Sequence, residues 1–254
     1  MSSVVPELRD PTRLQRACYA VGVLLVAVGV VHLGVFVLDD RPWGGPLSWR
    51  KPATFGLSFG LTLMTITWVT SYLRIAPRTR ALLMTVFAVD CVVEVAGIAL
   101  QAWRNQPSHL NTTTTANATI AYTLAVGGAV LVGVLGTFAV VAGRGRIDAR
   151  PSMARALRAG FVLLVAGLAS GIAMIAYGTT VMRSGDTQRA YDVAGFLKAF
   201  HGVTLHGVLV LPALAWWLGR RTLDESRRTR IVTMAIGCYA AAAAAVLVWS
   251  LLQM

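Results

Sequence analysis

The chain has 254 residues, of which 56% are hydrophobic and only 13% charged, and its mean hydropathy is +0.65. These values exclude an ordinary soluble domain, where about a quarter of residues are charged, and a disordered chain. The net charge of +12 would suit a nucleic-acid or anionic partner, so its meaning depends on where the basic residues fall.

A bilayer core about 30 Å thick is crossed by about 20 apolar residues of helix. After a basic tail over 1–16, seven stretches meet that requirement: 17–38, 53–73, 81–103, 120–142, 159–182, 200–218 and 231–252. Backbone in lipid must satisfy its own hydrogen bonds, so each is expected to be helical. The predicted fold is all-α, a polytopic transmembrane bundle of seven helices over 17–252. The first stretch follows Arg9, Arg13 and Arg16 but is too long for a signal-peptide core. It runs into Asp39-Asp40-Arg41-Pro42 without a small-residue cleavage pattern, so it is read as a retained span. The longest connection, 183–199, is too short for an inserted soluble domain.

Counting basic residues loop by loop sets the orientation. Sixteen of the 23 fall on the side that carries the amino terminus. By the positive-inside rule that side is cytoplasmic, with the carboxyl terminus outside. The positive charge is thus a topology signal, and no nucleic-acid partner is needed to explain it. An Ala/Val/Arg-rich multi-pass chain of this kind is expected in a bacterial inner membrane, with the lipid bilayer as its first partner.

Cys18, Cys91 and Cys238 all fall within spans and form no C-x-x-C pair, so no disulfide framework is expected. Two sequon matches, Asn111-Thr112-Thr113 and Asn117-Ala118-Thr119, are read as chance in a Thr/Asn-rich loop. Gly56-x-x-x-Gly60 and Gly167-x-x-x-Gly171 mark close helix packing. Their spans lie three apart, the spacing of an inverted three-plus-three repeat. Thr54, Ser58, Thr62 and Thr65 form one polar stripe on the second span, expected to hold helices together.

Asp90 and Glu94 lie within the third span. A carboxylate near the bilayer centre costs at least ~2.5 kcal/mol, so such groups face the bundle interior and pair or act there. Their i,i+4 spacing puts both on one helix face, and Gln101 extends that face outward. Counting ~1.5 Å per residue, His32 and His206 sit ~9 Å below the outer boundary, Glu94 ~14 Å and Asp90 ~20 Å. His201 lies at the mouth of the sixth span and His109 in the loop after the third. All four histidines and both acids therefore belong to the outer and middle layers.

Histidine with carboxylate suits Zn, Fe, Mn or Cu, and facing histidines suit haem b. The candidate metal ligands are Glu94, His32 and His206 at the centre, with His109 and His201 at the mouth and Asp90 as a proton relay. His201 and His206 are five apart and do not share a helix face, so His201 is expected to meet His109 or the outer loops. In the first outer loop, Trp43 and Trp49 read as an interfacial belt. Arg50 and Lys51 snorkel to headgroups or bind an anion such as a haem propionate.

Three strings occur together: Ser48-Trp49-Arg50-Lys51-Pro52 leading to Ser58, Gln101-Ala102-Trp103-Arg104 leading to Ser108-His109-Leu110-Asn111, and Phe200-His201-Gly202 leading to His206. The set resembles an uncharacterised family of bacterial multi-pass membrane proteins and implies that class without implying a chemistry. The last span has neither a Schiff-base lysine nor a histidine pair, which sets the chain apart from microbial rhodopsins and ceramidase-like hydrolases. The residues point first to a metal- or haem-dependent protein, with quinone or another lipid-soluble molecule as redox substrate. A proton-coupled transporter or channel using Asp90 and Glu94 is the alternative. A sensor or assembly partner of a membrane complex is the third reading.

Overall fold

A computed structural model describes residues 11–253. The first ten residues of the predicted basic tail lie outside this range. Among the described residues there are helices and turns and no strand, only a single bridge between Leu73 and Ile147. The helices are α1 (Arg13–Leu38), α2 (Arg50–Val69, extended by a 3-10 turn over Thr70–Tyr72), α3 (Pro77–Trp103), α4 (Thr115–Arg144), α5 (Pro151–Arg183), α6 (Thr187–Val193), α7 (Lys198–Gly219) and α8 (Glu225–Leu252). All but α6 are long and apolar enough to cross a membrane, so the chain is a multi-pass membrane protein.

The seven expected spans are all present, and most are longer than their apolar runs. Polar start signals outside the apolar layer account for the extension. Thr12 and Gln15 form a reciprocal capping box on α1. Thr114 accepts from the Asn117 amide on α4 and Asp224 from the Arg227 amide on α8. Proline opens α3 and α5, where its missing N–H is not needed. The short α6 interrupts the connection that the sequence left as a loop; it is polar, and its cap, Asp186, accepts from the Arg189 amide at 3.0 Å.

α2, α3, α4, α5 and α7 pack in a closed ring, with α1 outside α2 and α3 and α8 outside α5 and α7. Glycines set the two tightest seams. A Cβ on Gly56 would lie 2.7 Å from the Cα of Gly29, and one on Gly60 would lie 2.5 Å from the carbonyl oxygen of Gly22. α1 and α2 therefore meet backbone to backbone. Gly160 admits the α7 backbone at Val208 in the same way, and Gly167 makes room for the Leu205 side chain of α7. The second span thus pairs most closely with the span before it and the fifth with the span after it. An inverted three-plus-three repeat would pair both in the same sense, so the packing does not follow that expectation.

The interior is divided along the bundle axis. In the half nearer the amino-terminal face, Leu63, Ile66, Phe87, Phe138, Leu157, Phe161, Leu211 and Leu218 form a close-packed apolar core. His32, Gln101, Asn111, Asn117 and Ser170, buried polar side chains with partners on other elements, lie in the opposite half.

Candidate functional site

Asp90 stands at the middle of α3 and Glu94 one turn further toward the opposite face, 7% and 3% exposed. Both turn toward α4 at a residue with no side chain. The position a Cβ would take on Gly127 is 2.5 Å from Glu94 Oε1 and 2.8 Å from Asp90 Oδ1. Glycine there lets two carboxyl groups lie against the α4 backbone, where any larger residue would displace them. Asp90 Oδ2 is buried without a hydrogen-bond partner. Among the described residues no Lys, Arg or His forms an ion pair with either acid.

Two turns outward on the same face, Gln101 is fully buried and anchors a network of amides. Its Nε2 donates to Asn117 Oδ1 at 3.2 Å and to the Pro107 carbonyl at 3.3 Å, while its Oε1 accepts from Arg104 at 2.6 Å. Asn117 donates to Gln106 and Thr113, and Asn111 donates to Gln106 and accepts from Thr113. This network closes the outer end of the α3–α4 seam above the acids. Both sequon asparagines are buried within it, consistent with reading those matches as chance.

The loop between α3 and α4 carries backbone strain. Leu110 adopts φ of +61°, unfavourable for a bulky residue, and its Cδ1 packs close to Gly178 on α5. Beside it, His109 Nδ1 lies 2.9 Å from Ser108 Oγ, and the His109 ring sits 6.1 Å from the Phe55 ring of α2. Burial, reinforced by the positive charge of Lys51, pushes the His109 imidazole down to about 4, so it is neutral at pH 7.

Each of the other histidines uses at least one ring nitrogen elsewhere. His32 Nδ1 donates to the Val28 carbonyl at 2.8 Å and its Nε2 accepts from Trp103 Nε1 at 3.2 Å, so both ring nitrogens are in use. Its ring also packs against Trp49, which Arg41 covers at 4.3 Å. The cluster ties α1, the first outer loop, α2 and α3 together. Trp49 is accordingly 1% exposed and is no belt residue, whereas Trp43, at 45%, fits the belt. His201 does not reach His109 or the outer loops; its Nδ1 donates to the Gly167 carbonyl at 2.8 Å, with Ser170 Oγ 3.1 Å away, and it fills the α5–α7 seam. His206 Nδ1 donates within its own helix to Gly202 at 2.6 Å.

Glu94, His32 and His206 therefore do not gather as a central ligand set, and His109 and His201 do not complete one. Among the described residues no group of three or more His, Cys, Asp or Glu side chains could hold a metal ion. The expectation failed because equal depth in a membrane does not give equal azimuth: His32 turns to Trp103, His201 to α5, and Glu94 to α4. Arg50 and Lys51 also diverge. Arg50 Nε donates to the Trp43 carbonyl at 3.1 Å and braces the loop, whereas Lys51 is partly buried with Lys198 and His109 near it. The polar stripe of α2 is partly self-satisfied, since Thr54 bonds the carbonyls of Arg50 and Lys51.

Gly127, Asn117, Trp103 and Lys198 had no site role assigned from the sequence. The adjacent Gly127-Gly128 in an otherwise apolar span was the one local signal, because a glycine pair there needs a packing reason. No protein-family model, curated protein or solved structure matches the chain significantly.

Proposed function

We propose that this multi-pass membrane protein carries protons on the Asp90–Glu94 pair as part of a proton-coupled transport cycle. The observation that supports this reading is the seating of two carboxyl groups against Gly127, in the middle of the third span and, among the described residues, without a basic partner. Ionising both would place like charges within a few ångströms in an apolar layer, so the pair is suited to hold and pass a proton. Carboxyl groups inside spans are characteristic of proton relays. Buried polar side chains lie between the acids and the face opposite the amino terminus, where the amide network closes the seam, and an apolar core lies on the other side. In a transport cycle this corresponds to an occluded state. With the basic loops in the cytoplasm of a bacterium, the polar half faces outward.

The metal- or haem-centred reading with a quinone substrate has no converging ligand set to support it. Proton flux into proteoliposomes under an imposed pH gradient tests the proposal. Glu94→Gln is expected to abolish flux and Asp90→Asn to reduce it by at least tenfold, with both variants folded. Unchanged flux in Glu94→Gln, or stoichiometric metal or a haem Soret band in the purified protein, would overturn it.

A further inference from the structure

At the end opposite the amino terminus, three separate elements bring basic groups together. Lys51 is the second residue of α2, Lys198 the first of α7, and these helices pack against each other in the ring. His109 enters from the strained α3–α4 loop, its ring beside Phe55, one helical turn along α2 from Lys51. Lys198 folds its ammonium back over Gly195, where a side chain would collide with it. Lys51 is partly buried, and among the described residues it makes no hydrogen bond or ion pair with a carboxylate; the charges facing it are Lys198 and Arg50. Asp39, on the first outer loop, is held at 3.3 Å by Arg41.

A partly buried ammonium with no carboxylate on it, as at Lys51, costs free energy unless an anion joins it. His109 has Nδ1 directed at Ser108, which leaves Nε2 for a further partner. The strained backbone at Leu110 holds the histidine in this position, the kind of strain that functional sites retain.

We propose that Lys51, His109 and the start of α7 frame a binding site for an oxyanion, a carboxylate or phosphate group. The ammonium of Lys51 supplies the charge, and neutral His109 supplies a directional hydrogen bond from Nε2–H when Ser108 donates to Nδ1. The oxyanion comes either from a small solute or from a lipid headgroup. As a solute it would be the species moved with the proton, a step that rests on the proposed proton carrier; binding itself does not.

Thermal unfolding of the full chain in phosphatidylcholine nanodiscs, titrated with inorganic phosphate or acetate at constant ionic strength, tests the site. Wild type is expected to be stabilised saturably, and Lys51→Met to need at least tenfold more anion. Lys51→Arg keeps the charge and retains the response. Stabilisation that appears only when phosphatidylglycerol replaces phosphatidylcholine, and is lost in Lys51→Met, assigns the site to a headgroup. The same response in wild type and Lys51→Met, or none to either source, overturns the proposal. Lys51→Gln and His109→Leu serve as independent variants should Lys51→Met not fold. Glu94→Gln is expected to keep anion binding while losing proton flux, so failure of one proposal is distinguishable from failure of the other.

Discussion

His109 couples folding to pH in a defined direction. Its value is about 4 in the folded chain against an ordinary 6.5, so the unfolded chain binds the proton more readily. The stability gained by keeping the ring neutral is intact above pH 6.5 and lost as pH falls toward 4. Linkage sets the full amount at about 3 kcal/mol. Unfolding of wild type and His109→Gln followed from pH 7 to 4.5 should show a steeper loss in wild type; parallel profiles would refute this origin of the pH dependence. Gly127 offers a second test at the same scale. Gly127→Ala would drive a methyl into Glu94 Oε1 and Asp90 Oδ1, costing about 1–3 kcal/mol of stability as overpacking does. It should also lower proton flux. Gly128→Ala next to it meets nothing within 4 Å and should leave both unchanged.

Between elements, the decisive contacts are the seams where glycine brings backbones together. Gly60→Leu would put its first carbon against Gly22 O and Val26, and the rest of the side chain has no space at the α1–α2 contact. A loss of at least ~1–3 kcal/mol is expected, measured as reduced thermal stability in detergent, while exposed Gly34 should accept Ala without penalty. The Gly-x-x-x-Gly spacing announced this seam in the sequence, because small residues repeat at the helical period. What spacing did not carry was the partner: Gly56 and Gly60 meet Gly22 and Gly29, and Gly167 meets α7. The short α6 escaped notice for another reason. Helix pattern is read from an apolar stripe, and a seven-residue polar helix with a side-chain cap has none.

For the whole molecule, seven helices long and apolar enough to cross a membrane predict that the two ends of the bundle lie on opposite sides of it. The basic loops predict which side each takes. A fluorescent protein fused to the amino terminus should be bright in the cytoplasm, and alkaline phosphatase fused to the carboxyl terminus should be active outside; the reverse pattern would invert the orientation. The division of the interior has a consequence at this scale too. The proposed proton carrier needs access to the acid pair from the polar half, which predicts faster hydrogen exchange in the turns of α3 and α4 nearest that end than in the segments around Phe87, Phe138 and Phe161.

Span number and span position were readable from the sequence, because hydropathy and the fixed rise of a helix act along one dimension. Asp90 and Glu94 were also readable as a pair, since i,i+4 spacing fixes a shared face within one helix. Which neighbour that face meets was not readable, because rotation about the helix axis is set by packing between helices. Tertiary structure therefore decided that the acids turn to Gly127, that His32 and Trp49 form a brace, and that Lys51 comes near His109 and Lys198. It also decided where the basic excess matters. Sixteen of the 23 basic residues lie on the side that carries the amino terminus and predict the orientation, while Arg50, Lys51 and Lys198 lie at the opposite end.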